Sequence, residues 1–445
     1  MKEILLCGAG RSSSVLIDYL LHNSAEYQWS ITIADKNVED LRTSYKEDRQ
    51  LKLISANLVN DDERNALVKT ADLVISMLPA RFHILVAQSC IEYRVNLATA
   101  SYVSEEMKSL EKKVQEAGII FLNELGVDPG IDHLSAKKVL DEIAEDGGEI
   151  EAFETFTGGL LAPESDTNPW NYKFTWNPRN VVLAGQGGAV KFLQEGTYKY
   201  IPYHRLFRRT EKIHIDGYGS FEGIANRDSL KYRSIYGLEN IKTMYRGTLR
   251  RPGFCRAWDA FVQLGLTDDN YILEKSEELT FRTFVNLFLP YNPNDSVELK
   301  LQHYLNLAHD DIDLFEKLKW LDLFEDIKVG IKEATPAQIL QHILERKWKL
   351  ERDDKDMIVM WHKFIYKKNN QLHELHSSMV VKGESQRKTA MAKTVGLPLA
   401  IASKMLLNHE FTQSGIHVPI MKSIYQPILK ELAFHGITFS EKVIS

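Results

Sequence analysis

The sequence predicts an α/β protein with a doubly wound parallel sheet, a second domain of α+β type and a helical insert. Short β-branched runs alternate with helical patterns as far as residue 126. From residue 149 the composition becomes aromatic and strand-like, and near residue 267 it becomes amphipathic and helical. The alternation predicts parallel strands joined by crossover helices, and the two later changes predict the second domain and the insert.

Individual elements follow from these periodicities. In the first domain the predicted strands are 3–6, 30–34, 51–54, 72–76, 95–98 and 119–121, and the predicted helices are 13–22, 63–69, 82–93 and 105–116. Further strands are predicted at 153–156, 212–215, 356–366 and 372–381, the last two joined by a turn at 368–370. A final helix is predicted at 389–407.

Composition and charge exclude several classes of protein. The 445 residues carry a net charge of -6, too little positive charge to bind nucleic acid across a surface. Cys7, Cys90 and Cys255 are far apart, which predicts reduced thiols and no metal site. The N-terminus lacks a signal-peptide pattern, and the longest apolar stretch, 395–407, is too short to span a bilayer. We therefore expect a cytoplasmic protein that binds neither nucleic acid nor membrane.

A glycine-rich turn joins the first strand to the first helix. Gly8 and Gly10 stand where a dinucleotide fold needs a tight turn and a close approach to pyrophosphate, which the helix N-terminus then binds. Arg11, Ser12 and Ser13 complete the turn, and Ser13 replaces the usual third glycine, which weakens the match. The pattern predicts a Rossmann-type dinucleotide site.

Asp35 ends the second predicted strand, 25 residues after Gly10 (35 − 10). A carboxylate there accepts hydrogen bonds from a ribose and repels a 2′-phosphate, so it favours NAD, with NADP as the second choice. Lys36 weakens this preference, and the alternative is that Asp35 only starts the following turn.

The predicted domain limits follow from these features. The Rossmann dinucleotide-binding domain covers 1–126, with 389–445 packing back on it. An α+β substrate and dimerisation domain covers 127–266 and 354–388, and the helical insert covers 267–353. We expect a homodimer.

Polar segments follow three predicted strands, at 76–80, 99–102 and 123–133. Ligands bind at the carboxyl ends of the strands in open parallel sheets. Asp132 and His133 are explained equally well as helix caps, whereas Asp128, held extended before a proline, is the better candidate to face a substrate.

Several longer strings carry a resemblance to a known family. They are 8–10, 74–79, 101–104, 123–133, 158–164, 172–176, 226–229, 246–250 and 394–398. In these strings, which run in family order over essentially the whole chain, the sequence resembles saccharopine dehydrogenases of the glutamate-forming type, also called saccharopine reductases.

The resemblance implies a set of site residues. Those implied along the cofactor are Gly10 to Ser13, Ala34, Asp35, Lys36, Asn57, Leu78, Ala100, Val127 and Trp176. Those implied around the substrate are Ser101, Tyr102, Asp128, Arg227, Thr248, Leu249 and Arg250. Saccharopine carries three carboxylates, which guanidinium groups bind in a bidentate manner, although each arginine is also explained by a structural salt bridge.

Two departures from the fungal biosynthetic pattern affect the expected function. Ala34-Asp35-Lys36 replaces an Ala-Cys-Arg string suited to a 2′-phosphate, and Thr157 replaces a cysteine, so no thiol is required there. The resemblance then implies oxidation of saccharopine by NAD to L-glutamate and 2-aminoadipate 6-semialdehyde, in lysine degradation, with Asp128 and Tyr102 as acid-base candidates.

Three alternatives stay open at this point. They are an NADP-linked reductase in lysine biosynthesis, a related enzyme of polyamine synthesis, and a non-catalytic protein that senses the NAD ratio.

Overall fold

The computed structural model describes residues 1–45, 50–226, 228–308 and 311–444. The chain divides into two compact units. The first consists of Met1–Glu149, Lys368–Asn370 and Met379–Glu441, and the second of Ile150–Lys367, Gln371–Ser378 and Lys442–Ser445.

The first unit is built on a parallel sheet. In the described part of the chain its seven strands are β1 (Lys2–Cys7), β2 (Trp29–Asp35), β3 (Leu51–Ser55), β4 (Leu73–Ser76), β5 (Asn96–Thr99), β6 (Ile120–Leu122) and β15 (Gly415–His417). They lie in the order β15-β6-β5-β4-β1-β2-β3, and every pair is parallel. The strand order reverses beside β1, which confirms the doubly wound sheet and places a ligand crevice at the carboxyl ends of β1 and β4.

Helices flank this sheet. They are α1 (Ser14–Tyr27), α2 (Glu39–Ser44), α3 (Asp61–Val68), α4 (His83–Tyr93), α5 (Glu105–Lys108), α6 (Glu111–Ala117), α7 (Ile131–Glu145), α14 (Ala390–Leu407) and α15 (Lys422–Phe434). The run predicted as one helix over 105–116 is divided, because the backbone turns at Ser109 and Leu110.

Helix α14 is a core element of the first unit. It packs on α1 so closely that a Cβ at Gly396 would stand 2.8 Å from the Leu16 backbone nitrogen. Its length and composition are those of a membrane span, but 83% of that stretch is buried. Its apolar character is therefore explained by internal packing.

Helix α7 also lies in the first unit, whereas the sequence analysis assigned residues from 127 onward to the substrate domain. It packs against α15, where the Tyr425 hydroxyl donates to Asp141 Oδ2 at 2.7 Å. These contacts within the unit hold the helix there.

Another sheet is built mostly from residues of the second unit. Of the described residues, nine strands belong to it: β7 (Glu149–Leu161), β8 (Val190–Gln194), β9 (Thr197–Ile201), β10 (Thr210–Ile215), β11 (Gly219–Ala225), β12 (Thr243–Arg250), β13 (Asp356–Lys368), β14 (Gln371–Lys382) and β16 (Ser440–Val443). The main order is β10-β11-β12-β7-β13-β14-β16, and β8 joins β9 to β12. The parallel pair β7 and β12 positions residues 248–250.

The helices of the second unit are α8 (Pro178–Val182), α9 (Phe254–Leu264), α10 (Phe281–Asn286), α11 (Val297–Tyr304), α12 (Ile312–Trp320) and α13 (Pro336–Lys347). Buried aromatic rings form much of its core: Trp170 stacks on Phe261 with centroids 5.6 Å apart, and Trp348 lies 5.2 Å from Trp170. Both tryptophans also contact Phe254, whose ring lies under the guanidinium of Arg250.

Candidate active site

The glycine turn after β1 has the geometry of a phosphate-binding turn. Gly8 has a φ of 88°, and a Cβ there would stand 3.1 Å from Met77, so glycine is required. Gly10 is exposed, and a Cβ there would meet nothing within 4 Å. The missing side chain at Gly10 leaves room for a ligand group beside the turn.

The N-terminus of α1 is suited to bind an anion. Ser13 is the residue before the helix, and its hydroxyl donates to the Gly10 carbonyl at 2.7 Å. It therefore does not cap the amides of the first turn. That turn contains no acidic residue. Free amides and the positive end of the helix dipole fit a pyrophosphate group.

Asp35 is held at the end of β2 by two backbone amides. Its Oδ2 accepts from Ala9 N at 2.8 Å and its Oδ1 from Asn37 N at 3.1 Å. The carboxylate therefore lies beside the glycine turn, as expected for a ribose ligand. Lys36 is exposed next to it.

Replacing Gly10 by valine tests the cofactor turn. The side chain will fill the open space, so we expect the dissociation constant for the dinucleotide to rise about tenfold or more, the equivalent of one lost charged hydrogen bond. Folding should be little affected, because Gly10 is exposed and a Cβ there meets no protein atom within 4 Å. Fluorescence titration and thermal unfolding measure the two effects, and unchanged affinity in a folded variant would contradict the assignment.

Tyr102 and Asp128 meet at the carboxyl end of the first sheet. The Tyr102 hydroxyl donates to Asp128 Oδ1 at 3.0 Å, and the Tyr102 side chain is 42% exposed. Ser101 precedes Tyr102 in the loop after β5 and is half-buried. The structure thus brings together two predicted site residues that lie 26 positions apart in the sequence, and their carboxylate and phenol are able to exchange a proton with a bound molecule.

Glu124 is a residue of this region that the sequence analysis did not select. Its side chain is 1% exposed, Oε1 accepts from Val103 N at 2.9 Å, and Oε2 lies 2.8 Å from His133 Nε2. It ties the loop of Tyr102 to the start of α7. Asp132 and His133 lie in the first turn of α7, whose N-cap is Gly130 without a side-chain cap, so the helix-cap interpretation was wrong. Asp132 instead accepts from Gly130 N at 2.6 Å and stabilises the loop before the helix.

His83 is a second residue that sequence reasoning missed. It is the first residue of α4 and is buried, with ring nitrogens 2.8 Å from Ser76 Oγ and 2.7 Å from Ser101 Oγ. Burial lowers its pKa to about 4. A neutral imidazole therefore touches a predicted substrate residue.

Arg250 is a buried charged residue among the predicted substrate residues of the second unit. Its side chain is 7% exposed and lies over the rings of Tyr172 and Phe254, with Cζ 5.0 and 5.2 Å from the centroids. Nη1 donates to the Leu249 carbonyl at 2.8 Å. Among the described residues no carboxylate pairs with it, and its Nε has no partner. A buried guanidinium without a counter-charge is suited to bind an anionic group.

The remaining predicted residues take these positions. In the first unit Arg11 and Asn57 are exposed, Ser12, Leu78 and Ala100 are half-buried, and Val127 is buried. In the second unit Trp176 is 37% exposed, Thr248 is half-buried and Leu249 is buried. Arg227 lies outside the described residues.

Thiol and metal chemistry find no support in the described structure. Cys7, Cys90 and Cys255 are buried, and burial raises the pKa of all three, that of Cys7 to about 12. Within the described ranges no group of three or more His, Cys, Asp or Glu side chains is placed to hold a metal.

Comparisons with known proteins match the whole chain to one family. Residues 4–122 match the saccharopine dehydrogenase NADP binding domain, and residues 126–437 match the saccharopine dehydrogenase C-terminal domain. The chain is 31% identical to saccharopine dehydrogenase [NADP(+), L-glutamate-forming] of Saccharomyces cerevisiae, covering 100% of both chains. It is 34% identical to the mitochondrial alpha-aminoadipic semialdehyde synthase of Bos taurus, but spans only 47% of that protein.

Solved structures agree with this assignment. An apo form of the L-Glu-forming saccharopine dehydrogenase from S. cerevisiae matches with a TM-score of 0.90 at 30% identity, covering 100% of both chains. A homospermidine synthase from Legionella pneumophila, solved with NAD, matches with a TM-score of 0.57 at 12% identity over 99% of this chain and 91% of that one, which shows a shared fold alone. From its matching domains, its full-length yeast relative and its fold, the chain belongs to the saccharopine dehydrogenase family.

Proposed function

We propose that this protein oxidises saccharopine to L-glutamate and 2-aminoadipate 6-semialdehyde, with NAD as the hydride acceptor. The observation that carries the proposal is the buried guanidinium of Arg250, which has no carboxylate partner among the described residues. Saccharopine supplies three carboxylates, and a bidentate carboxylate would satisfy this group. The full-length likeness to a yeast enzyme named for L-glutamate formation supports the same substrate.

Asp35 is the reason for proposing NAD. Its carboxylate is fixed beside the glycine turn and would repel a 2′-phosphate. The second candidate function, an NADP-linked reductase in lysine biosynthesis, is favoured by the NADP(+) in the names of the fungal relatives and by the exposed Lys36. The preferred cofactor, NAD or NADP, distinguishes the two candidate functions.

The proposed reaction needs proton transfers and substrate binding, and residues of this chain are assigned to both. A nicotinamide dinucleotide held at the glycine turn would supply the hydride acceptor, and loss of a hydride from the carbon next to the secondary amine of saccharopine would leave an imine. Water adds to that carbon, the carbon–nitrogen bond breaks, and glutamate leaves with the nitrogen. Asp128 accepts the proton of the substrate ammonium group, which leaves the amine neutral for hydride loss. Tyr102, hydrogen-bonded to Asp128, passes protons during the addition of water. Thr248, Leu249, Arg250 and Arg227 bind the substrate in this proposal.

Replacing Asp128 by alanine should lower kcat by about 100-fold or more, the usual contribution of a positioned acid-base group. The pH dependence of kcat should also lose the limb that reports the base. The matched control is Asp62→Asn, which removes an exposed carboxylate in the first turn of α3. Turnover close to that of the control would remove Asp128 as a required acid-base group.

The proposed function is tested by initial rates with saccharopine, comparing NAD with NADP at equal concentrations. We expect a strong preference for NAD. A preference for NADP would support the second candidate, and binding of NAD without turnover of saccharopine would indicate a sensor. A homodimer and a cytoplasmic location stay predictions.

A further inference from the structure

Three polar side chains form a hydrogen-bonded row in the first unit. Ser76 ends β4, His83 begins α4 and Ser101 follows β5. Ser76 Oγ lies 2.8 Å from His83 Nδ1, and Ser101 Oγ lies 2.7 Å from His83 Nε2. Ser76 and His83 are buried, whereas Ser101 is half-buried at the ligand edge of the sheet.

The His83 ring is neutral and both its nitrogens are occupied. Burial lowers its pKa to about 4, so at neutral pH it has one N–H donor and one acceptor nitrogen. It therefore cannot deliver a proton to a ligand without breaking one of the two bonds. Its contribution depends on which nitrogen carries the hydrogen.

The hydrogen bonding of Ser76 indicates which ring nitrogen of His83 carries the hydrogen. If Nδ1 carried the hydrogen, Ser76 Oγ would accept it, and the buried Ser76 hydroxyl hydrogen would need another acceptor. Among the described residues Ser76 Oγ has no second partner. Since buried hydroxyls are paired in folded proteins, Ser76 donates to Nδ1 and the hydrogen lies on Nε2. His83 Nε2 then donates to Ser101 Oγ.

This assignment fixes what Ser101 can offer a ligand. Its backbone nitrogen and carbonyl are bonded within the loop, to Thr99 Oγ1 at 3.3 Å and Glu124 N at 3.1 Å. Its hydroxyl oxygen accepts from His83, so the hydroxyl hydrogen is left to be donated. We propose that His83 is a positioning residue that makes the Ser101 hydroxyl a donor to a carboxylate oxygen of the substrate. This rests on the proposed function above.

Two variants each keep one of the two hydrogen bonds that the His83 ring makes, and so test the bonds individually. In His83→Asn the amide replaces Nδ1 and keeps the bond to Ser76, whereas in His83→Gln the amide nitrogen reaches the position of Nε2 and keeps the bond to Ser101. We expect His83→Asn to raise KM for saccharopine about tenfold, the cost of one hydrogen bond to a charged group. Its kcat and its KM for NAD should change little, and His83→Gln should restore KM to near wild type.

A double-mutant cycle with Ser101→Ala supplies the decisive readout. Because His83 acts only through Ser101, His83→Asn should add nothing in the Ser101→Ala background. Independent, additive effects would overturn the proposal, as would a change confined to KM for NAD or a His83→Gln variant no better than His83→Asn.

The tautomer is measured without turnover. Nitrogen-15 NMR of histidine-labelled protein, with the His83 signal assigned by its loss in His83→Gln, should show the hydrogen on Nε2. A hydrogen on Nδ1 would overturn the proposal. Absence of saccharopine turnover by the wild type would instead refute the proposed function while leaving the tautomer result intact.

Discussion

Replacement of Arg250 by methionine will lower kcat/KM for saccharopine by about 100-fold or more, because truncating one partner of a buried charge pair costs several kcal/mol. The guanidinium lies over Tyr172 and Phe254, where it is shielded from water and a carboxylate is bound more strongly than at the surface. Most of the loss should be in KM, since the contact exists before and during reaction. Steady-state kinetics measure it.

The same substitution should not destabilise the free protein. Arg250 has no carboxylate partner among the described residues, so methionine removes an uncompensated buried charge and keeps the apolar contact with the two rings. We expect the melting temperature to be unchanged or higher. A residue that only held the fold together would show the opposite result.

The matched control is Arg208→Met. Arg208 belongs to the same unit and pairs with Asp259 at 2.8 Å, but its side chain is 58% exposed. Its loss should leave KM unchanged and alter stability by no more than about 1 kcal/mol. Equal effects of the two substitutions on KM would contradict a specific carboxylate site at Arg250.

Replacement of Asp35 by serine will shift the ratio of kcat/KM for NAD to that for NADP toward NADP by about 100-fold. Serine removes the negative charge that faces a 2′-phosphate, and like charges placed together cost several kcal/mol. Once the Asp35 carboxylate is removed, the positive charge of the neighbouring Lys36 attracts the 2′-phosphate. The ratio is obtained from initial rates with each cofactor at saturating saccharopine.

Asp40→Ser is the control for net charge. Asp40 is exposed in the first turn of α2, five residues from Asp35 (40 − 35), so its loss changes the total charge equally. It should leave the cofactor ratio unchanged. A wild type that already prefers NADP, or an Asp35→Ser variant with an unaltered ratio, would show that Asp35 only fixes the glycine turn through Ala9.

The fold class was predictable because its signals are local. Strand and helix periodicities are carried by neighbouring residues, so β1 to β6 were predicted within one position and α1, α3 and α4 within five, whereas the short helix α2 was not predicted. The break between α5 and α6 was not predicted, since apolar spacing continues across a turn. The position of α7 depends on contacts with α15, nearly 300 residues later, which no local pattern reveals.

The candidate site was predictable only in part for the same reason. Asp128 was selected because a proline follows it, and Asp35 because of its spacing from the glycine turn. Glu124 and His83 were missed because their significance lies in burial and in partners brought together by the sheet, such as Ser101, 18 residues after His83. A histidine after a strand end is a weak signal until its two neighbours are known.

The products formed from saccharopine in the presence of NAD test the proposed activity most directly. We expect one L-glutamate and one 2-aminoadipate 6-semialdehyde for each NADH formed, because the hydride leaves from the carbon on the aminoadipate side of the nitrogen. Formation of lysine and 2-oxoglutarate, the products of oxidation on the other side of that nitrogen, would contradict it. So would NADH formed without glutamate.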